Sequence, residues 1–155
     1  FHVLLKNNIG PPNTFVVRRE VLANAGLFDV ALRSCEDWDL WLRIAAMGGQ
    51  FRLARDMRSV YRLVPGSMSR NVETMWRSGC AVVRKNGKVH ANCRTCRDSR
   101  KASIAGFALS MRPLLRDLVR SPGGSSRAVG ILLRNPRLMA WQMLWQLRRT
   151  LRLES

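Results

Sequence analysis

One stretch constrains the fold more than any other. Residues 36–47, EDWDLWLRIAAM, carry their apolar side chains at helical rather than alternating spacing. Trp38, Leu42 and Ala45 fall on one side, and Trp41 and Ile44 widen that face, which other elements must cover. Glu36, Asp37 and Asp39 stand in the first turn, where the helix dipole favours negative charge. Arg43 follows Asp39 by four positions, the favourable order for an ion pair. Ser34 is placed to cap the helix, and Gly48 and Gly49 end it.

The flanking sequence mixes predicted strands and helices. Residues 7–13 form a loop, since two prolines and three asparagines forbid regular structure there. The β-branched and aromatic run 14–17 predicts a short strand, and 18–25 a helix that stops at Gly26. Residues 49–66 predict one or two further strands, with Pro65 and Gly66 as a turn. Ser69 is a candidate cap for a helix through 71–85, interrupted by the Asn86, Gly87, Lys88 triplet. Beyond residue 90, helices are expected at 99–120, 126–134 and 137–152. SPGGSS is a flexible linker by composition, and Asn135 and Pro136 make a second break. The expected organisation is a first unit over 1–90 and a basic helical tail over 91–155.

Charge is spread unevenly. Of the net +17, residues 1–60 carry eight Lys/Arg against six Asp/Glu, and residues 61–155 carry nineteen against four. Such a basic half attracts polyanions. No helix-turn-helix, RNA-binding or complete zinc-finger signature is present, so a sequence-specific nucleic-acid partner is not expected. On the last helix Ala140, Met143, Leu144, Leu147 and Leu151 share an arc, with Trp141, Trp145, Arg137, Arg148 and Arg152 beside it. Residues 99–152 are therefore a candidate surface for an anionic membrane, the alternative being a helix packed on its own domain. No signal peptide is recognisable, and the longest nearly uncharged apolar run, 102–111, is too short to span a bilayer. Cytoplasmic residence, peripheral on the inner face of the plasma membrane, is the expectation. The four cysteines are then reduced. His90, Cys93 and Cys96 are ligand types for zinc, and Cys80 could be a fourth only if the fold brought it back; the incomplete set favours ordinary thiols.

Three carboxylates in one turn repel one another and raise proton affinity, which the helix N-terminus lowers. Trp38 and Trp41 beside them add desolvation, and such a balance suits a general base that accepts a proton from a hydroxyl. Indole faces next to carboxylates also suit a sugar, so Trp38 and Trp41 are candidate substrate-binding residues. Ordinary capping and pairing remain the alternative.

The series NTFVVRREVLANAGLFD, EDWDLWLRIAAMG and YRLVPGSMSRN resembles the acceptor-side half of family 2 glycosyltransferases over about residues 5–86. The resemblance implies a partial α/β, GT-A-type fold lacking its N-terminal half, followed by the helical tail. It implies inverting transfer of a sugar from a nucleotide-diphosphate donor to a sugar or lipid-linked acceptor, in cell-surface polysaccharide or glycolipid synthesis. Asp37 matches the family's base and Glu36 its companion, while Asp39 is assigned a structural role with Arg43. A divalent cation, Mg2+ or Mn2+, is expected for the complete enzyme, but no ligand to it is identified here. Asp37, Trp38 and Asp39 spell Asp-x-Asp within the predicted helix rather than at a strand end, and are not assigned to metal. Leu63, Val64 and Pro65 stand where many members carry a histidine. Ser67, Ser69, Arg70 and Arg62 are suited to phosphate oxygens, or to a turn and a cap. As a piece without its donor half, the chain is not expected to turn over alone. The competing class is a basic, non-catalytic protein of membrane surfaces or nucleic acid.

Overall fold

The computed structural model of the chain describes residues 1–153 apart from 57, 63, 65 and 91, with side chains in the last helix up to residue 149. Eight α-helices follow one another among these residues: α1 (His2–Lys6), α2 (Arg19–Asn24), α3 (Glu36–Ala46), α4 (Val72–Asn86), α5 (Arg94–Ser110), α6 (Arg112–Arg120), α7 (Gly124–Arg134) and α8 (Pro136–Leu153). Two single 3-10 turns, Pro12–Thr14 and Met68–Arg70, interrupt the loops. No strand is present among the described residues.

The α/β expectation is therefore corrected: this fold is helix packed on helix. Thr14 closes a 3-10 turn, and Phe15 and Val17 continue as an extended, unpaired segment whose side chains cover α3. A strand needs a neighbour to take up its backbone groups, and none lies alongside. Among the described residues of 49–66, Phe51, Leu53, Val60 and Val64 are solvent-facing, so their β-propensity meets no surface to pack on. At the expected Pro65 and Gly66 turn, Gly66 takes φ +77° and the Ser67 N–H donates to the Val64 carbonyl at 3.2 Å; Leu63 and Pro65 themselves lie outside the described residues, as do the side chains of Leu151 and Arg152.

Helix α3 sits at the centre, buried on almost every side. Trp38 and Leu42 meet Leu4 and Leu5 of α1 and Val82 and Val83 of α4, with Ile104 and Phe107 of α5 closing that cluster. Leu40, Trp41 and Ile44 face the opposite way, against Ala25 and the residues of α2 and its approach. A third cluster joins Val72 and Trp76 of α4 to Ala108, Met111, Leu115 and Leu138. Phe107 touches two clusters, so packing crosses residue 90 without a break. Gly79 of α4 leaves room for α5: a β-carbon there would collide with the Phe107 ring.

Local chemistry explains the remaining boundaries. Asn71, rather than Ser69, caps α4 by accepting from the Thr74 N–H at 2.9 Å. Met111 separates α5 from α6, and Pro113 lies in the first turn of α6, where its missing N–H is harmless. SPGGSS is a tight turn rather than a loose linker. Ser121 Oγ donates to the Leu118 carbonyl at 2.6 Å, Gly123 takes φ +64°, and α7 begins at Gly124.

Candidate functional site

The acidic turn of α3 divides into two environments. Asp39 is fully buried. Its carboxylate accepts from Arg43 Nε at 2.8 Å, Lys85 Nζ at 3.0 Å and Asn86 Nδ2 at 2.8 Å. Arg43 also reaches the carbonyls of Ala25 and Leu27, fixing the loop after α2 against α3. Asp39 is thus the neutralised centre of a network joining α2, α3 and α4.

Asp37 is placed differently. It is 8% exposed, and its side-chain donor is the neutral amide of Asn8 at 3.2 Å. The Trp38 N–H also donates to it, at 2.6 Å. No cation pairs with it among the described residues. Burial pushes its carboxyl above the ordinary aspartate range, helped by the Glu36 charge and opposed by the bonds from Trp38 and Asn8. Glu36 is half-buried in the same turn. One carboxylate is locked by cations, and its near neighbour holds an elevated proton affinity.

The helix start that presents these acids is itself unusual. Cys35 precedes α3 with φ +60°, a left-handed conformation that costs a non-glycine residue about 1–2 kcal/mol. Ser34, expected as the cap, instead points inward and donates to the Thr74 carbonyl at 3.4 Å, tying the start of α3 to α4. Burial pushes the Cys35 thiol up to about 12, with the Asp37 and Glu36 charges adding to it, so this cysteine is a packed thiol.

Apart from the Trp38 backbone N–H, the other expected site residues make no hydrogen bond to Asp37 among the described residues. Trp38 and Trp41 are core residues, each 2% exposed, so neither has a free face for a sugar ring. Trp38 Nε1 donates to the Leu4 carbonyl at 2.7 Å, and Trp41 stacks on Phe15 with centroids 4.1 Å apart. Ser67 and Ser69 share a hydrogen bond of 3.1 Å, and Tyr61 donates to Ser69 at 3.1 Å. Arg70 pairs with Asp117 at 2.9 Å. Arg62 is exposed and bonds to none of them among the described residues. Ser67 and Arg70 do line a groove of about 690 Å3, whose far wall carries Arg127 and Arg134. Arg134 is engaged with Glu73 at 2.9 Å, and that bond holds the Glu73 carboxyl below its usual range. The charged residues of the groove are therefore largely paired with one another, and Val72, Leu114 and Ile131 make up much of the rest of its lining. A smaller neighbouring recess joins Ser67 to Arg33 and Thr74, and so borders the loop that precedes α3.

A second constellation lies at the junction of α1 and α5. His2 Nε2 stands 3.2 Å from Cys96 Sγ and 3.4 Å from Cys93 Sγ, and His90 Nδ1 stands 3.3 Å from Cys96 Sγ. Cys96 is buried, and its backbone N–H donates to Cys93 Sγ at 3.4 Å. That bond holds the Cys93 thiol below its ordinary value. Cys80 is elsewhere, packed against the cluster around Trp76, with burial pushing its thiol up to about 11. His2 and Asn8 are the residues that sequence reasoning missed. Both stand far from their partners in the chain, and neither belongs to a periodic pattern.

No family model matches the sequence, and neither a curated protein nor a solved structure matches it. Among the described residues, no helix is long and apolar enough to cross a membrane.

Proposed function

We propose that this chain supplies the acceptor side and the general base of an inverting, nucleotide-sugar-dependent glycosyltransferase. The observation that carries the proposal is the contrast between Asp37 and Asp39. Structural acids in a basic protein are expected to pair with cations, as Asp39 does. Asp37 is held nearly dry, by a neutral amide, with its proton affinity raised. A base tuned upward in this way takes a hydroxyl proton more readily.

In the proposed reaction the Asp37 carboxylate accepts the acceptor's hydroxyl proton as that oxygen attacks the anomeric carbon. The bond to the nucleotide diphosphate breaks with inversion. Asn8 orients the carboxylate, and Glu36 supplies the neighbouring charge. Donor binding, and the Mg2+ or Mn2+ such donors use, are assigned to no residue of this chain. The recess lined by Ser67, Arg33 and Thr74 borders the loop that precedes α3. Among the described residues the three segments of the motif series lie on helices and loops without a sheet, so the proposal concerns the site and not an α/β architecture. The test is transfer from labelled nucleotide sugars by the complete polypeptide that contains this chain. Asp37→Asn should lower turnover at least about 100-fold, the lower range for losing a general base. Undiminished transfer by that variant refutes the assignment.

A second reading concerns where the protein works. Leu138, Trp141 and Gln142 hold α8 to the body, Gln142 donating to the Ala108 carbonyl at 2.5 Å. Arg112 lies over the Trp145 ring, 3.0 Å from its centroid. Neither indole is thus at the margin of the outer face. Ala140, Met143, Leu144 and Leu147 point outward, with Arg137 and Arg148 exposed nearby. That apolar arc in a strongly basic setting supports peripheral attachment to an anionic bilayer. Co-sedimentation with phosphatidylcholine vesicles containing phosphatidylglycerol, but not with phosphatidylcholine alone, is expected. A Leu144→Glu, Leu147→Glu variant should lose it.

A further inference from the structure

We propose that His2, His90, Cys93 and Cys96 form a structural zinc site that staples α1 to the start of α5. His2 supplies the fourth ligand that the sequence pattern around Cys93 and Cys96 lacks.

Three ligand atoms are gathered at one point, and Cys93 stands beside them as the fourth donor. Zinc bonds thiolate sulfur at about 2.3 Å and imidazole nitrogen at about 2.0–2.1 Å, which sets the nitrogen-to-sulfur edge of a tetrahedron near 3.5 Å. Three of the four such edges are present at 3.2, 3.3 and 3.4 Å. The ligand atoms of His2, His90 and Cys96 all lie within 4.8 Å of one another, and Cys93 joins them through its contact with His2. Cysteines separated by two intervening residues, the first preceding a helix and accepting the N–H of the second, both bring their sulfurs to His2 Nε2. Hydrogen bonding from backbone to sulfur is the outer support a thiolate ligand needs. Phe1 packs edge-on against both imidazoles, at 5.8 and 5.0 Å between centroids, limiting the orientations of the two rings.

Two features argue against a chance meeting of hydrogen-bonding side chains. The ligands come from segments about ninety residues apart in sequence. All four are soft or borderline donors, with no carboxylate among them, which selects zinc over magnesium or calcium. The site also has a job in this fold. Helix α1 is five residues long, too short to be stable alone, yet it supplies Leu4 and Leu5 to the central core. It leads directly into Asn8, the donor to Asp37. A metal at His2 would hold that element in place.

The test is metal content of the purified 155-residue chain expressed with zinc in the medium. One zinc per chain is expected by elemental analysis. Cobalt substitution should give the visible spectrum of a tetrahedral ion with thiolate-to-cobalt charge transfer. Cys96→Ser and His2→Asn should each weaken zinc binding at least about 100-fold, since changes outside the ligand shell already cost 10–100-fold. Cys80→Ser should keep full occupancy. Circular dichroism of each variant separates loss of a ligand from loss of the fold. If a ligand variant unfolds, titration of zinc into the reduced 1–155 chain, read by cobalt competition, decides the question. A folded, reduced chain without zinc, one with a Cys93–Cys96 disulfide under reducing preparation, or full occupancy in Cys96→Ser would each overturn the proposal. None of these results depends on transferase activity.

Discussion

Replacing Asp39 with Asn tests whether the fold is organised around that buried carboxylate. The side chain is fully buried and accepts from three donors between 2.8 and 3.0 Å, two of them cationic. Removing one partner from a buried ion pair typically costs about 3–5 kcal/mol, because a charge is left uncompensated in a dry site. Here the cations retain access to water: the side chains of Arg43 and Lys85 are 21% and 43% exposed. They can rehydrate in part, and Lys85 keeps Asp29 at 2.7 Å. The expected cost is therefore about 2–3 kcal/mol, just below the usual range. For a chain of this size each kcal/mol shifts the melting temperature by about 2–4 °C, so a fall of about 4–12 °C is predicted. Thermal unfolding followed at 222 nm (far-UV circular dichroism) is the assay. Urea unfolding should show a lower midpoint with an unchanged slope. A melting temperature within about 2 °C of the parent would refute the view that Asp39 ties α2, α3 and α4 together.

Other outcomes follow from neighbouring residues. Asp37 has its folded-state pKa raised, so folding favours its protonated form. Its contribution to stability is full below the unfolded value, about 3.9, and is lost as pH rises through the folded value. Asp37→Asn should accordingly melt at or above the parent at pH 7, and the difference should narrow in acid. Trp38→Phe leaves the buried Leu4 carbonyl without its donor and should destabilise by about 1–3 kcal/mol, measured by urea unfolding. Trp41→Phe should cost less, since Trp41 Nε1 has no partner among the described residues. In native conditions at pH 8, alkylation followed by mass spectrometry should leave Cys35 and Cys80 unmodified, because burial keeps both as thiols.

The helices were far more legible in the sequence than the fold. The 36–46 pattern predicts α3, and the break at residues 86–88 predicts the end of α4. These rest on local periodicity and on glycine, which act without tertiary context. The same local signals predict strands at 14–17 and 49–66, and none is present among the described residues, because a strand exists only where a second one pairs with it. Within the candidate site, the pairing of Asp39 with Arg43 is visible as a four-residue interval. Lys85 and Asn86 are not, since only the packing of α4 on α3 brings them there. The burial of both indoles was hidden for a similar reason. An aromatic beside a carboxylate looks the same in sequence whether it faces a ligand or the core. His2 joins Cys96 from 94 residues away, beyond the reach of any spacing rule.

The transfer reaction of the complete polypeptide, measured for Asp37→Asn beside its melting temperature, tests the central claim most directly. The predicted result is a stable variant, melting at or above the parent at pH 7, with turnover reduced at least about 100-fold. A stable Asp37→Asn protein that transfers sugar at the parental rate would contradict it.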